Sequence, residues 1–250
     1  MKKILMTLVF GLMFASSINA DMLRAEIGAG MWASKSKGEI SYTTSGITAH
    51  DVSKGETKSE PYVWMLVKYP LPVLPNFRLE YVSVTTKGLA SGTYKNFTAS
   101  GAQTELSITQ FDIIPYYNLL DTAGITLDLG LDIKIADIEY KAEGVTGVPG
   151  GGTTYTETET IPIPLLYMRI RTEIPMTDIG FEADAKFITD NSSSIYDVRA
   201  KVDYTLDFIA IKPAVEVGYR VQKYKIDDSS FDSKIDLEFS GFYAGLMIRF

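Results

Sequence analysis

The sequence has no cysteine, a single histidine and only two tryptophans. Without cysteine there is no disulfide framework, no thiolate chemistry and no residue to carry a lipoprotein anchor. One histidine, His50, leaves little material for acid–base chemistry near neutral pH. Positive charge is also scarce: 24 Lys and Arg stand against 31 Asp and Glu, a net charge of −7. That balance argues against nucleic acid as a partner. Past the N-terminus, long apolar runs are missing as well. No segment offers the roughly 18 uncharged apolar residues that a membrane-spanning helix requires.

The N-terminus is different. Met1-Lys2-Lys3 is a short basic start, Ile4 to Phe14 is an apolar run too short to span a bilayer, and Ala15 to Ala20 is a small-residue exit. The pattern predicts a secretory signal peptide over residues 1–20, cleaved after Ala20, and an exported domain over 21–250. Removing Lys2 and Lys3 leaves 22 basic against 31 acidic residues, a net charge of −9.

What the remaining chain does have is period-two alternation. Between Ile125 and Ile135, one face carries Ile125, Leu127, Leu129, Leu131, Ile133 and Ile135, and the other Thr126, Asp128, Gly130, Asp132 and Lys134. This is a strong strand signal. It recurs at 23–34, 166–173, 179–187, 196–204, 211–220 and 242–250. It is less clean at 62–69 and 77–86, and ambiguous in phase at 106–117. Ten strands result, with eight or twelve as alternatives should the unclear segments be misread, and no helix of consequence. Ile235, Leu237 and Phe239 fall out of phase with Phe242 to Phe250, which predicts a β-bulge near Ser240.

The connections at 36–57, 88–103 and 142–158 are long and rich in Gly, Ser and Thr, whereas those at 70–76, 118–124, 175–178 and 206–209 are short. Long and short connections alternating along an even number of antiparallel strands predict an all-β, up-and-down transmembrane barrel of the outer-membrane type.

Alternation alone does not say which face meets lipid, since a soluble barrel binding a lipophilic ligand would alternate equally well. Several features favour an apolar exterior. Gly28, Gly30, Gly130, Gly180, Gly218, Gly241 and Gly245 fall on the charged face, where small residues make room inside a narrow lumen. Aromatics close the apolar faces, Tyr69, Tyr81 and Phe250 toward one rim and Phe187, Tyr196 and Tyr219 toward the other, as interfacial girdles do. The chain also finishes on an alternating apolar strand, Phe242, Ala244, Leu246, Ile248 and Phe250.

That last strand, FYAGLMIRF, resembles the C-terminal assembly signal of Gram-negative outer-membrane proteins. More narrowly, PLPVLPNFRLEY at 70–81 followed by PYYNLLD at 115–121 is similar to an uncharacterised family of small bacterial outer-membrane β-barrel proteins. The resemblance covers essentially the whole exported chain. It implies an outer-membrane location, contact with outer-membrane lipid and lipopolysaccharide, and handling by the barrel-assembly machinery and periplasmic chaperones. It implies no activity.

With the charged face inward, the lumen would hold Arg24, Glu26, Arg78, Glu80, Asp128, Asp132, Lys134, Arg169, Arg171, Glu173, Glu182, Asp184, Lys186, Asp197, Arg199, Lys201, Asp203, Lys212, Glu216 and Arg220. A ten-stranded barrel is only slightly wider than one just filled by side chains, so these charges are expected to pair into a mostly occluded plug. The leading expectation is a non-enzymatic barrel with a structural or surface-interaction role through its outer loops. A narrow porin-like channel is the alternative, and an outer-rim hydrolase is a third.

Other constellations carry less. His50 beside Asp51, in a long outer loop, lacks the strand that would fix a catalytic base. Asp227, Asp228, Asp232 and Asp236 form an acidic cluster without the spacing of a calcium loop. Thr153 to Thr160, TTYTETET, reads as an extension of two outer strands or as a flexible tip. No metal or cofactor is expected.

Overall fold

The computed structural model describes residues 24–250 except 45–46, 72, 123, 191–192, 207–210 and 229–232. The expected signal peptide, Asp232 and most of the turn at 206–209 lie outside the described residues. Eleven strands follow one another: β1 Arg24–Thr44, β2 Ile47–Ser53, β3 Thr57–Lys68, β4 Asn76–Thr93, β5 Thr98–Asp121, β6 Ile125–Glu143, β7 Thr154–Ile174, β8 Ile179–Thr189, β9 Ser194–Thr205, β10 Lys212–Asp228 and β11 Ser233–Arg249. Each pairs antiparallel with its neighbours, and β11 returns to pair with β1. Short β2 occupies the upper part of the place that β3 holds below, between β1 and β4. The two together make one stave, broken at residues 54–56. The result is a closed ten-stave barrel. In the gap beside Glu60 its carboxylate accepts the Thr85 N–H (3.0 Å).

The expected long loops are largely strand. Residues 36–44, 47–53, 98–103 and 154–158 are ladder-paired, save Gly101 at a bulge, as are their neighbours up to Thr93 and Glu143. Thr is a good strand former on a wet face as well, so its abundance there marks exposed β-structure. Of the expected short connections, 175–178 is a turn and the described residues of 70–75 lie between strands, whereas 118–121 extend β5. We call their end of the barrel the turn end and the opposite end the extended end.

Orientation follows from burial. Val217 and Leu246 are 51% and 68% exposed, whereas Asp132, Arg169 and Lys201 are buried. A greasy exterior over an ionic interior is stable only in hydrocarbon, so the barrel is transmembrane and the soluble alternative falls.

The apolar band has an upper edge. On β4 the outward series Phe77, Leu79, Tyr81 gives way to Ser83, Thr85 and Lys87, and on β6 the outward series that ends at Ile135 continues as Asp137 and Glu139. Tyr81 lies opposite Phe111, Phe111 opposite Ile135, Phe187 opposite Tyr196 and Tyr219 opposite Phe242. Tyr81 therefore closes the band on its extended side rather than standing with Tyr69 and Phe250 at the turn end.

Above this edge the facing inverts. Val82, Val84, Leu106, Ile108, Ala136, Leu237 and Phe239 are buried inside one core, and Lys37, Glu139 and Asp236 point out. The inversion also explains the phase change on β11, where the expected bulge does not occur. Ser240, Gly241 and Phe242 pair in unbroken register with Val221, Arg220 and Tyr219. The offset against β1 is likewise the same on both sides of the change. The surrounding medium changes there, so apolar residues switch faces without any slip of the ladder. A second small core at the extended tip joins Phe97, Ala99, Ala102 and Val145 with Tyr94 and Tyr155.

Candidate functional site

The interior at the level of the apolar band is an ionic lattice. Seventeen of the twenty charged residues that the alternation turns inward are buried, and Arg24, Glu173 and Lys212 stand exposed at the turn-end rim instead. Asp112 and Arg249 join them inside. Asp112 escapes a reading of the sequence because the apolar residues of its strand pass from the inner face at Ile108 to the outer face at Phe111, which blurs the period. Arg249 sits on the inward face of β11, beside Glu26 and Asp203.

The lattice is built from forks. Asp197 accepts from Arg220 (2.6 and 2.9 Å) and from Gln222 (2.9 Å). Arg199 holds Asp184 (2.8 Å) and also reaches Glu80, which Arg78 and Lys186 share. Lys134 bonds Asp112 (2.8 Å) and Gln110 (2.9 Å). Arg171 clamps Asp203 (2.6 and 3.1 Å), and Arg169 pairs with Asp128 (2.6 Å). Glu216 accepts from Lys201 (2.9 Å), Tyr62 (2.8 Å) and Trp64 (3.0 Å). Lys201 and Arg78 lie over the Trp64 ring at 4.4 and 4.8 Å, and Arg220 over Trp32 at 5.1 Å. This arrangement satisfies buried charge by geometry, since paired and hydrogen-bonded ions avoid the several kcal/mol that an isolated one costs. Gly28 is part of the fit: a Cβ there would stand 2.5 Å from the Trp64 ring.

One charge departs from the expected pairing. Asp132 is fully buried and, among the described residues, neither of its oxygens has a hydrogen-bond partner, although Lys186 and Lys134 act on it electrostatically. It faces the stretch where the β5–β6 ladder skips from Ile113↔Ile133 to Tyr116↔Gly130, at Pro115, and its β7 neighbour is the apolar Leu165. The sequence gives no warning of this, because alternation reports facing and not partners.

On the extended side the apolar core lies next to the lattice. Within it, the space among Trp32, Trp64, Arg78 and Glu216 amounts to about 10 Å³, room for one water at most. At the turn end a cavity of about 110 Å³ opens among Arg24, Glu26, Lys68, Asn118 and Arg171.

The remaining candidates are separated by the fold. His50 lies on β2 rather than in a loop, pointing outward near Glu39 (3.5 Å). Asp51 points inward, where its oxygens accept from Thr104 (2.8 Å) and Tyr140 (2.9 Å). Gly88 leaves space for that carboxylate, since a Cβ there would meet Asp51 Oδ1 at 2.2 Å. Burial pushes the Asp51 carboxyl above its ordinary value. Asp227 pairs with Lys234 (2.8 Å) and Asp236 with Lys223 (3.1 Å). Among the described residues no group of acidic or histidine side chains is placed to hold a metal. Phe242, Ala244, Leu246, Ile248 and Phe250 line the outer wall, and TTYTETET, from its second residue Thr154 onward, forms the upper part of β7.

No protein-family model and no curated protein matches the sequence. Solved structures do. The outer membrane protease OmpT from Escherichia coli superposes with a TM-score of 0.57 at 14% identity, over 94% of this chain and 98% of that one. The translocator domain of the autotransporter NalP from Neisseria meningitidis gives 0.43 at 9% identity, over 100% and 95%. Neisserial surface protein A gives 0.33 at 12%, over 90% and 97%. The OmpT likeness places the fold among ten-stranded outer-membrane β-barrels.

Proposed function

We propose that this chain is an integral outer-membrane protein of a Gram-negative cell, exported through a cleaved signal peptide, and that it acts as a non-enzymatic surface-interaction barrel. Lipid and lipopolysaccharide cover its apolar band. The barrel-assembly machinery, after periplasmic chaperones, reads the alternating strand from Phe242 to Phe250. The turn end faces the periplasm and the extended end the exterior.

The observation that carries this reading is that side chains pack the lumen at two levels. An ion-pair lattice fills the band section, and the apolar core around Phe239 and Val84 lies over it. A barrel packed in this way leaves its exposed upper strands as the surface on which to work. The non-catalytic part of the reading is supported by His50 and Asp51 pointing to opposite sides of the wall, which separates the one imidazole from its neighbouring carboxylate.

The experiment is planar-bilayer recording on the purified protein, with fractionation alongside. The expected result is a heat-modifiable gel band in the outer-membrane fraction and no conductance above that of the bare bilayer. Steady single-channel steps that change size on Arg220→Ala would overturn the closed-lumen reading in favour of a narrow channel.

A further inference from the structure

The barrel wall is uneven at its extended end. β8 has 11 residues and β9 has 12, whereas β6 and β7 have 19 and 21. β7 pairs with β8 only from Leu166↔Phe187 to Ile174↔Ile179, but with β6 up to Glu143↔Thr154. Residues 154–165 therefore project about 40 Å past the last β8 partner, with no described residue paired along their second edge.

Two prolines show which backbone groups face that edge. Hydrogen-bonding groups of successive residues in an antiparallel strand point to alternate sides. The β6–β7 ladder runs unbroken through Pro162 and Pro164. Proline has no N–H to donate, so these residues turn their nitrogens to the open side, as prolines within sheets do. Thr154, Thr156, Thr158 and Thr160 share their phase and present N–H and C=O groups to solvent. Proline guards the lower part of the edge, but from Thr154 to Thr160 there is no Pro, Lys or bulge of the kind that usually blunts one.

The arm is also held ready. Tyr155 packs on Phe97 at 4.8 Å and accepts from Asn96 (3.0 Å) while donating to Glu157 (2.8 Å), and Thr160 donates to Asp137 (2.5 Å). A fixed edge adds a strand at less entropic cost than a loose one. Its charge selects what can be added. Glu157, Glu159, Asp137 and Glu139 are exposed, and the single lysine of the arm, Lys141, is already bonded to Glu143 (2.5 Å). Pairing with a second copy through this edge would set acid against acid.

We propose that the open edge of β7 from Thr154 to Thr160 is a docking site for an extended, lysine- or arginine-bearing segment of a partner protein, taken up as an added β-strand. The proposal rests on the surface-interaction reading above. Its probe is a labelled peptide of about eight residues alternating Lys with Val, titrated against the purified barrel in detergent, with hydrogen exchange to map protection. The expected result is saturable binding with protection confined to 154–160. Binding weakens about tenfold when alternate peptide nitrogens are methylated, and by a similar factor in Thr156→Pro/Thr158→Pro. Glu157→Gln/Glu159→Gln weakens it further at low salt. The methylated peptide leaves the protein untouched, so its result stands even if the proline variant misfolds. Equal binding of the methylated peptide, or no binding at all, overturns the edge. Protection confined to other upper strands overturns the edge but leaves the surface-interaction reading intact, and only the bilayer recording decides against that reading.

Discussion

On β6, Leu129, Leu131 and Ile133 face out while Asp128, Asp132 and Lys134 face in; a few residues further along the same strand, Asp137 and Glu139 face out while Ala136, Ile138 and Tyr140 face in. The backbone does not change across this boundary and the ladder does not slip. Only the solvent changes. In the band section, hydrocarbon outside sends charge to the lumen, where each ion must find a counter-ion in fixed geometry. In the extension, water outside returns the arrangement to that of a soluble β-protein, held by apolar burial. One barrel thus carries two cores of opposite chemistry stacked end to end, and each should fail in its own way.

The largest effect is expected from breaking the ionic core. Asp197→Leu strands Arg220 and removes an acceptor of Gln222, and should cost about 3–5 kcal/mol in urea unfolding from lipid vesicles. Next comes a paired test across the boundary. Leu131→Arg puts a charge on the lipid face near mid-band and should cost about 2–4 kcal/mol. Glu139→Leu, on the same outward face above the edge, should stay within about 0.5 kcal/mol of the parent. Asp132 sharpens the comparison by sign: Asp132→Leu removes a buried carboxylate that has no hydrogen-bond partner among the described residues, and should raise stability by about 1 kcal/mol.

The smallest effect belongs to Asp51 in the extension. Burial raises its carboxyl above the ordinary 3.8, so the folded form keeps the proton at pH values where the unfolded chain has lost it. Its stabilising share is complete below that ordinary value and is lost as the pH climbs through the raised one. Hydrogen exchange of the upper strands should accordingly speed up beyond the intrinsic rate as the pH rises above that ordinary value, and Asp51→Asn should flatten the difference.

Much of the fold was legible because a period of two survives any solvent. The strand at 125–135 and the staves from 166 onward show their facing in the sequence, and with it most of the ionic lattice. The unclear segments were unclear for physical reasons. At 106–117 the strand crosses the band edge, so Leu106 and Ile108 face in, Phe111 faces out and no single phase fits. At 62–69 both faces are apolar, because Tyr62 and Trp64 enter the lumen as partners of Glu216 while Val63 and Met65 meet lipid. The phase change before Phe242 was visible too, but a bulge and a change of medium leave the same trace, and only the ladder register separates them. The free edge of β7 depends on how short β8 and β9 are relative to their neighbours, which no local pattern encodes.

The central claim is that the outward face changes medium between Ile135 and Asp137. The absence of native cysteine makes it directly measurable: single cysteines at Leu127, Leu129, Leu131, Ile133, Ile135, Asp137 and Glu139, each carrying a nitroxide, are compared for collision with oxygen and with a water-soluble nickel chelate in lipid vesicles. The expected result is oxygen-dominated collision through Ile135 and an abrupt turn to nickel from Asp137 onward. A profile that stays in lipid through Glu139, or one that is already aqueous at Leu131, would contradict it.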